Sequence, residues 1–123
     1  MKVINNNPND VFGAFEVLHN GKRYSYDPMF KRIAITVDGV ANNTGDSIST
    51  EITTIEGMKS AVLGYDRGLT LKSMVYVHVM GNMQIGYIEE DLGNGCIHVV
   101  CMIDGKRHVA ETVYDLVEKV FQV

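Results

Sequence analysis

The sequence predicts an α+β fold built mainly from antiparallel sheet. Three observations carry that reading. Valine and isoleucine supply 26 of the 123 residues and leucine only six, and branching at Cβ suits a pleated surface better than a helix. Short alternating apolar runs are separated by Asn-Gly, Asp-Gly and Gly-Asn pairs, the residue types that tight hairpin turns require. Two other segments, over 54–65 and from Thr112 onward, repeat apolar residues at helical spacing.

Residues 1–10, Asn-rich with Pro8, read as a loose lead-in or a short edge strand. An N-terminal hairpin follows, with Phe15, Val17, Tyr24 and Tyr26 on one face and Glu16, Arg23 and Ser25 on the other. If Asn20-Gly21 is its turn, Phe15 faces Tyr26 and Val17 faces Tyr24, both apolar pairs. Asp27-Pro28 ends the second strand; 31–37 form the next, with a turn at Asp38-Gly39 and a loop over 42–46. A strand from Ser47 to about Ile52 leads into the middle helix. Thr53 and Glu56 form a capping-box pattern there, and Gly57 inside the helix costs about 1 kcal/mol relative to alanine.

The C-terminal half reads as a three-stranded meander over 72–80, 83–90 and 96–103, with turns at Gly81-Asn82 and over 104–107 and a Gly-rich loop over 91–95. A C-terminal amphipathic helix completes the chain, with Val113, Leu116, Val117, Val120 and Phe121 on one stripe and Thr112 and Asp115 as its capping pair. No repeat, low-complexity run or linker interrupts the chain, so 1–123 reads as a single α+β domain.

Placed in register by its turns, the meander carries Tyr76, His78, Met80, Met83, Ile85, Tyr87, Ile97, Val99 and Cys101 on one face. Val75, Val77, Val79, Ile88, Val100 and Met102 lie on the other. Both faces are apolar, whereas a sheet with one wet side alternates. The C-terminal helix can cover one face. The N-terminal hairpin or another copy of the chain must cover the other, since soluble monomers rarely expose apolar patches beyond a few hundred Å². The expectation is a homo-oligomer, dimer or larger, with Tyr76, His78, Met80, Met83, Ile85 and Tyr87 at the interface.

Composition narrows the function classes. No apolar run approaches the ~20 residues of a membrane helix, and the opening Met1-Lys2-Val3-Ile4-Asn5 turns polar too soon for a signal peptide. A net charge of −4 and a pI near 5.5 argue against generic nucleic-acid binding. The two cysteines, Cys96 and Cys101, are too few for a disulfide framework, which points to a reducing, cytoplasmic compartment.

Specific chemistry finds little support. Cys96 and Cys101 stand five residues apart, roughly 16–17 Å on a strand, beyond the ~7 Å that a disulfide spans. Cys96 and His98 offer two ligands where structural zinc takes four, so no metal and no cofactor is expected. His78 and Cys101 share a face but are separated by a strand, out of reach for a nucleophile–base pair. Glu89 and Asp91 share a face as they enter a loop.

Six of the eleven cationic side chains fall in the pairs Lys22-Arg23, Lys31-Arg32 and Lys106-Arg107. Arg23, Arg32, Arg67 and Arg107 are the residues suited to grip a phosphate-bearing ligand, with Tyr24 stacking on a base. Three functions follow as expectations. The first is a non-enzymatic, homo-oligomeric binding module, a small stand-alone partner or inhibitor protein whose acidic balance suits a partner with a basic face. The alternative is a binder of nucleotide-like small molecules with a pocket between protomers. The second alternative is a small hydrolase-type enzyme using Glu89, Asp91 or His98.

Overall fold

Two five-stranded antiparallel sheets are joined by one helix in the computed structural model, which describes residues 1–11, 13–37 and 43–120, the stretch 43–46 by its backbone alone. The first sheet contains β1 (Lys2–Asn6), β2 (Phe15–His19), β3 (Lys22–Asp27), β4 (Arg32–Val37) and β5 (Asn43–Ser49), side by side in chain order. Helix α1 spans Ile55–Asp66. The second sheet contains β6 (Met74–Val79), β7 (Asn82–Gly93), β8 (Cys96–Ile103), β9 (Lys106–Val113) and β10 (Glu118–Lys119), in the order β10-β6-β7-β8-β9.

Alternation builds the first sheet. Phe15, Val17, Tyr24, Tyr26, Ile33 and Ile35 all point inward and form one apolar cluster with Met58, Ala61 and Val62 of α1. Burying each such large side chain contributes about 1.5–3 kcal/mol. Val17 stands opposite Tyr24, as the hairpin pattern predicts, and the Phe15 and Tyr26 rings lie 6.3 Å apart. The lead-in is an edge strand, β1, paired with β2.

The second sheet holds a separate cluster of Val75, Val77, Ile88, Ile97 and Val99 with Leu69, Tyr114 and Val117. No α1 residue belongs to that cluster, so the sheet coils round its own core. Its last strand, β10, returns to pair with β6, Glu118 facing Tyr76 and Lys119 facing Val75. Residues that begin and end this half of the chain thereby close on each other.

Helix α1 lies between the two clusters. Its N-cap is Thr54, whose hydroxyl accepts from the Gly57 N–H at 3.0 Å, one residue beyond the capping pattern read from Thr53. Its small side packs on the second sheet: a Cβ on Gly57 would overlap Asn94, and one on Gly64 would overlap the Tyr114 ring. The helix-weakening glycines are therefore conditions of close approach. The Ser60 hydroxyl donates to Asp115 at 2.5 Å. The Asn94 N–H donates to the Glu51 carbonyl at 2.8 Å, and the Asn94 side-chain carbonyl accepts from the Thr53 N–H at 2.8 Å.

Several expectations need correction. There is no C-terminal helix over 112–120. Those residues complete β9, pass through a 3-10 turn at Tyr114–Leu116 and enter β10. Pairing decides it: the Tyr114 N–H donates to the Gly95 carbonyl at 3.0 Å and the Val120 N–H to the Met74 carbonyl at 2.9 Å. A helix would forfeit both bonds and withdraw Val117 from the core. Phe121 and the Asp38-Gly39 turn lie outside the described residues. The loop expected over 42–46 is already β5 from Asn43.

The meander is also larger than three strands, and β8 is inverted relative to the expected register. Ile97 and Val99, placed from the turns beside Tyr87, belong to the buried cluster, and Cys101 stands opposite inward-facing Gly86. His98, Val100 and Met102 take the outward face instead. Asn94-Gly95 is a two-residue turn with φ of 54° and 73°, and the register shifts between Ile88 and Glu90 and between Asp91 and Gly93. Each bulge inserts a residue and breaks the period of two. Likewise, the β6–β7 turn is Met80-Gly81, with φ of 54° and 81°, and it closes on the Val79–Asn82 pair.

Candidate functional site

The outward face of β6–β9 is the surface whose composition departs furthest from the fold's needs. Register aligns its side chains in rows across the strands. Met74 pairs with Tyr87, Tyr87 with Val100 and Val100 with Val109, an apolar row across all four strands. The next row runs from Tyr76 to Ile85 and on to Met102 and Arg107. His78 and Met83 form a third pair.

These side chains are open to solvent in the single chain: Met102 is 61% exposed, Met83 52% and Ile85 51%, with Met74, Tyr87 and Val109 also exposed. Val100 is hidden, at 2%, and Tyr76 is half-buried. Neither expected cover lies over them. The C-terminal helix does not exist among the described residues, and the N-terminal hairpin buries its own inner face against α1.

Charge borders the rows on one side. Glu90 carboxylate lies 3.4 Å from His98 Nδ1, and Glu89 pairs with Arg107. Glu89 thus meets an opposite charge within the same chain, and Glu118 stands beside Tyr76 at the β10 end of the second row. The residues expected at an interface, Tyr76, His78, Met80, Met83, Ile85 and Tyr87, stand together here, with Met80 at the turn. Sequence reasoning missed Met74 and Val109 and assigned Met102 to the opposite face. Asn94-Gly95, read as a second hairpin turn rather than as part of a loop, was the signal that could have placed Met102.

The arginines expected to grip a phosphate are spread over both sheets. Arg23 lies on the outward face of β3, 3.4 Å from Glu16. Arg32 stacks over the Phe30 ring at 5.1 Å. Arg107 serves Glu89, and Arg67 caps the C-terminus of α1. Of these, Arg67 lines an open hollow of 550 Å³ with Tyr76, Asp115, Glu118 and Lys119. Tyr24 is fully buried in the first cluster, its ring edge-on to Tyr65 at 6.1 Å. Its hydroxyl has no hydrogen-bond partner, and burial, with Asp66 adding to it, pushes the phenol up to about 12.

The remaining chemical candidates diverge as well. His78 is on the outward face and Cys101 on the inward one, because β8 is inverted. The bulge at Glu89 separates it from Asp91, so the two carboxylates no longer share a face. Cys96 and Cys101 are free thiols. Among the described residues, no group of three His, Cys, Asp or Glu side chains is placed to hold a metal ion, and no helix is long and apolar enough to cross a membrane. Comparison of the chain with protein-family models, with curated proteins and with solved structures finds no match.

Proposed function

We propose that this protein is a non-enzymatic binding module that self-associates through the outward face of β6–β9. One observation carries the reading: a four-stranded surface of Met, Tyr, Ile and Val side chains that no described segment of the same chain covers. Six large apolar side chains exposed together, Met74, Met83, Ile85, Tyr87, Met102 and Val109, make the kind of contiguous patch that marks an interaction surface.

A second copy is the occupant that fits. Two sheet faces pack about 10 Å apart with interdigitating side chains, and a two-fold axis through the Tyr87–Val100 row sets apolar rows on apolar rows. The bordering Glu89–Arg107 pair is internally neutralised, so stacking two copies need not strand either of those charges. A partner with a basic face would find little on this surface to pair with.

Molar mass by light scattering across a micromolar concentration series tests the reading. The expected result is twice the chain mass of 13.7 kDa, falling to one chain mass in Ile85→Glu with the fold retained by circular dichroism. A single-chain mass for the unmodified protein at the highest concentration overturns it.

A further inference from the structure

Away from the outward face, a cavity of 230 Å³ opens between β5, α1 and the second sheet. Ile48, Leu69 and the rings of Tyr65 and Tyr114 give it an apolar lining, with Ser49 at its edge and one carboxylate, Asp91. The two β7 register shifts flank Asp91, and bulges re-aim side chains in this way. Without them, Asp91 would face the same way as Glu89.

The Asp91 carboxylate is held but not neutralised. One oxygen accepts from the Thr50 hydroxyl at 2.9 Å and from the Gly93 N–H at 2.8 Å. The other is met by the Tyr114 hydroxyl at 3.3 Å. All three donors are uncharged, and among the described residues no lysine, arginine or histidine forms an ion pair with Asp91. Burial, and after it the Asp91 charge, holds the Tyr114 phenol well above its usual range. A part-buried carboxylate held by neutral donors beside two aromatic rings suits a cationic ligand with an apolar body.

We infer that this cavity binds a small organic ammonium ion, with Asp91 as counter-ion and Tyr65 and Tyr114 against its carbon body. Size and charge together define the class. The volume lies below the roughly 300–1,000 Å³ of drug-sized sites, which admits a fragment and excludes a nucleotide. The carboxylate repels phosphates and carboxylic acids, and rejects a neutral isostere by the value of a charge-assisted hydrogen bond.

Amide-resonance titrations with 2-phenylethylamine, 2-phenylethanol and 3-phenylpropanoate test the inference. The amine is expected to shift the signals of Ser49, Leu69 and Gly93 saturably at millimolar concentration. The alcohol should bind about tenfold or more weakly, the loss expected when a hydrogen bond to a charged group is removed, and the acid should not bind. Asp91→Asn should bring amine and alcohol level. Ser49→Phe, at an exposed rim position, should block the amine without lowering the melting temperature. Equal binding of amine and alcohol overturns the inference, as does amine binding that survives Ser49→Phe, or no shift with any probe. Should Asp91→Asn fail to fold, the three probes on the unmodified chain still decide. Ile85→Glu should bind the amine unchanged, which separates this site from self-association.

Discussion

The two sheets follow one construction and differ on one face. Both are five-stranded and antiparallel, both contain an Asn-Gly hairpin turn, and both bury an apolar cluster against their inner face. On the outward side of the first sheet stand Glu16, Arg23, Ser25, Ala34 and Thr36, with Glu16 accepting from the Ser25 hydroxyl at 2.6 Å. This is the ordinary alternation of a sheet wet on one side. The equivalent side of the second sheet presents Met74, Tyr87, Ile85, Met102 and Val109. The first sheet demonstrates that this chain needs no apolar outer face to build such a sheet. The apolar face of the second is a property added to the fold, and solubility argues against adding it without a cover.

The largest effect should come from placing one charge on each sheet. Ile85→Glu should weaken the proposed dimer by at least ~100-fold, because an unpaired carboxylate would be buried twice across a two-fold interface. Thr36→Glu, opposite Arg23 on the first sheet, should leave the mass unchanged; sedimentation velocity reads both. Equal effects of the two would erase the distinction between the faces.

A smaller effect should follow at the joint between the sheets. Gly64→Val forces a side chain into the Tyr114 ring and should cost roughly 1–3 kcal/mol in urea denaturation, although Val at an open position of a helix is better tolerated than Gly.

The first core also carries a pH dependence. Tyr24 has its phenol raised from an ordinary 10.0 to about 12, so the folded state keeps this proton longer than the unfolded chain. Stability from this group is fully present below pH 10 and is lost as pH rises through 12, with a slope approaching about 1.4 kcal/mol per pH unit between. Tyr24→Phe should flatten that loss and, by removing an unpaired buried hydroxyl, should be neutral or stabilising by about 1 kcal/mol. Thr54→Ala, which deletes the α1 N-cap, should cost about 1 kcal/mol.

Legibility in the sequence also divides between the two halves. In the first, Asn20-Gly21 and the alternation of Phe15, Val17, Tyr24 and Tyr26 are local signals, and the strands and their facing pairs follow from them. In the second, the two β7 bulges have no sequence signature of their own, but the first reverses the alternation and the next restores it, so the turn sets which way β8 faces. Met102 and Val99 exchange faces because the strands are joined by the two-residue turn Asn94-Gly95, whereas a loop over 91–95 offsets the pairing by an odd number of residues. The C-terminal stretch fails for another reason: Val113, Val117 and Val120 fit a helical stripe, but β10 pairs with β6 from some 40 residues earlier, and no local pattern encodes that contact. Six residues of the outward face were legible because β6 and the part of β7 up to Tyr87 precede the bulges. The Asp91 cavity was not, since it draws on β5, α1 and β7 together.

Mixing isotope-labelled and unlabelled copies and recording filtered nuclear Overhauser contacts would test the central claim most directly. Self-association through this face predicts contacts between the methyl groups of Met102 or Ile85 in one copy and the Tyr87 ring in the other. Inter-copy contacts confined to the first sheet, or none in a sample of single-chain mass, would contradict it.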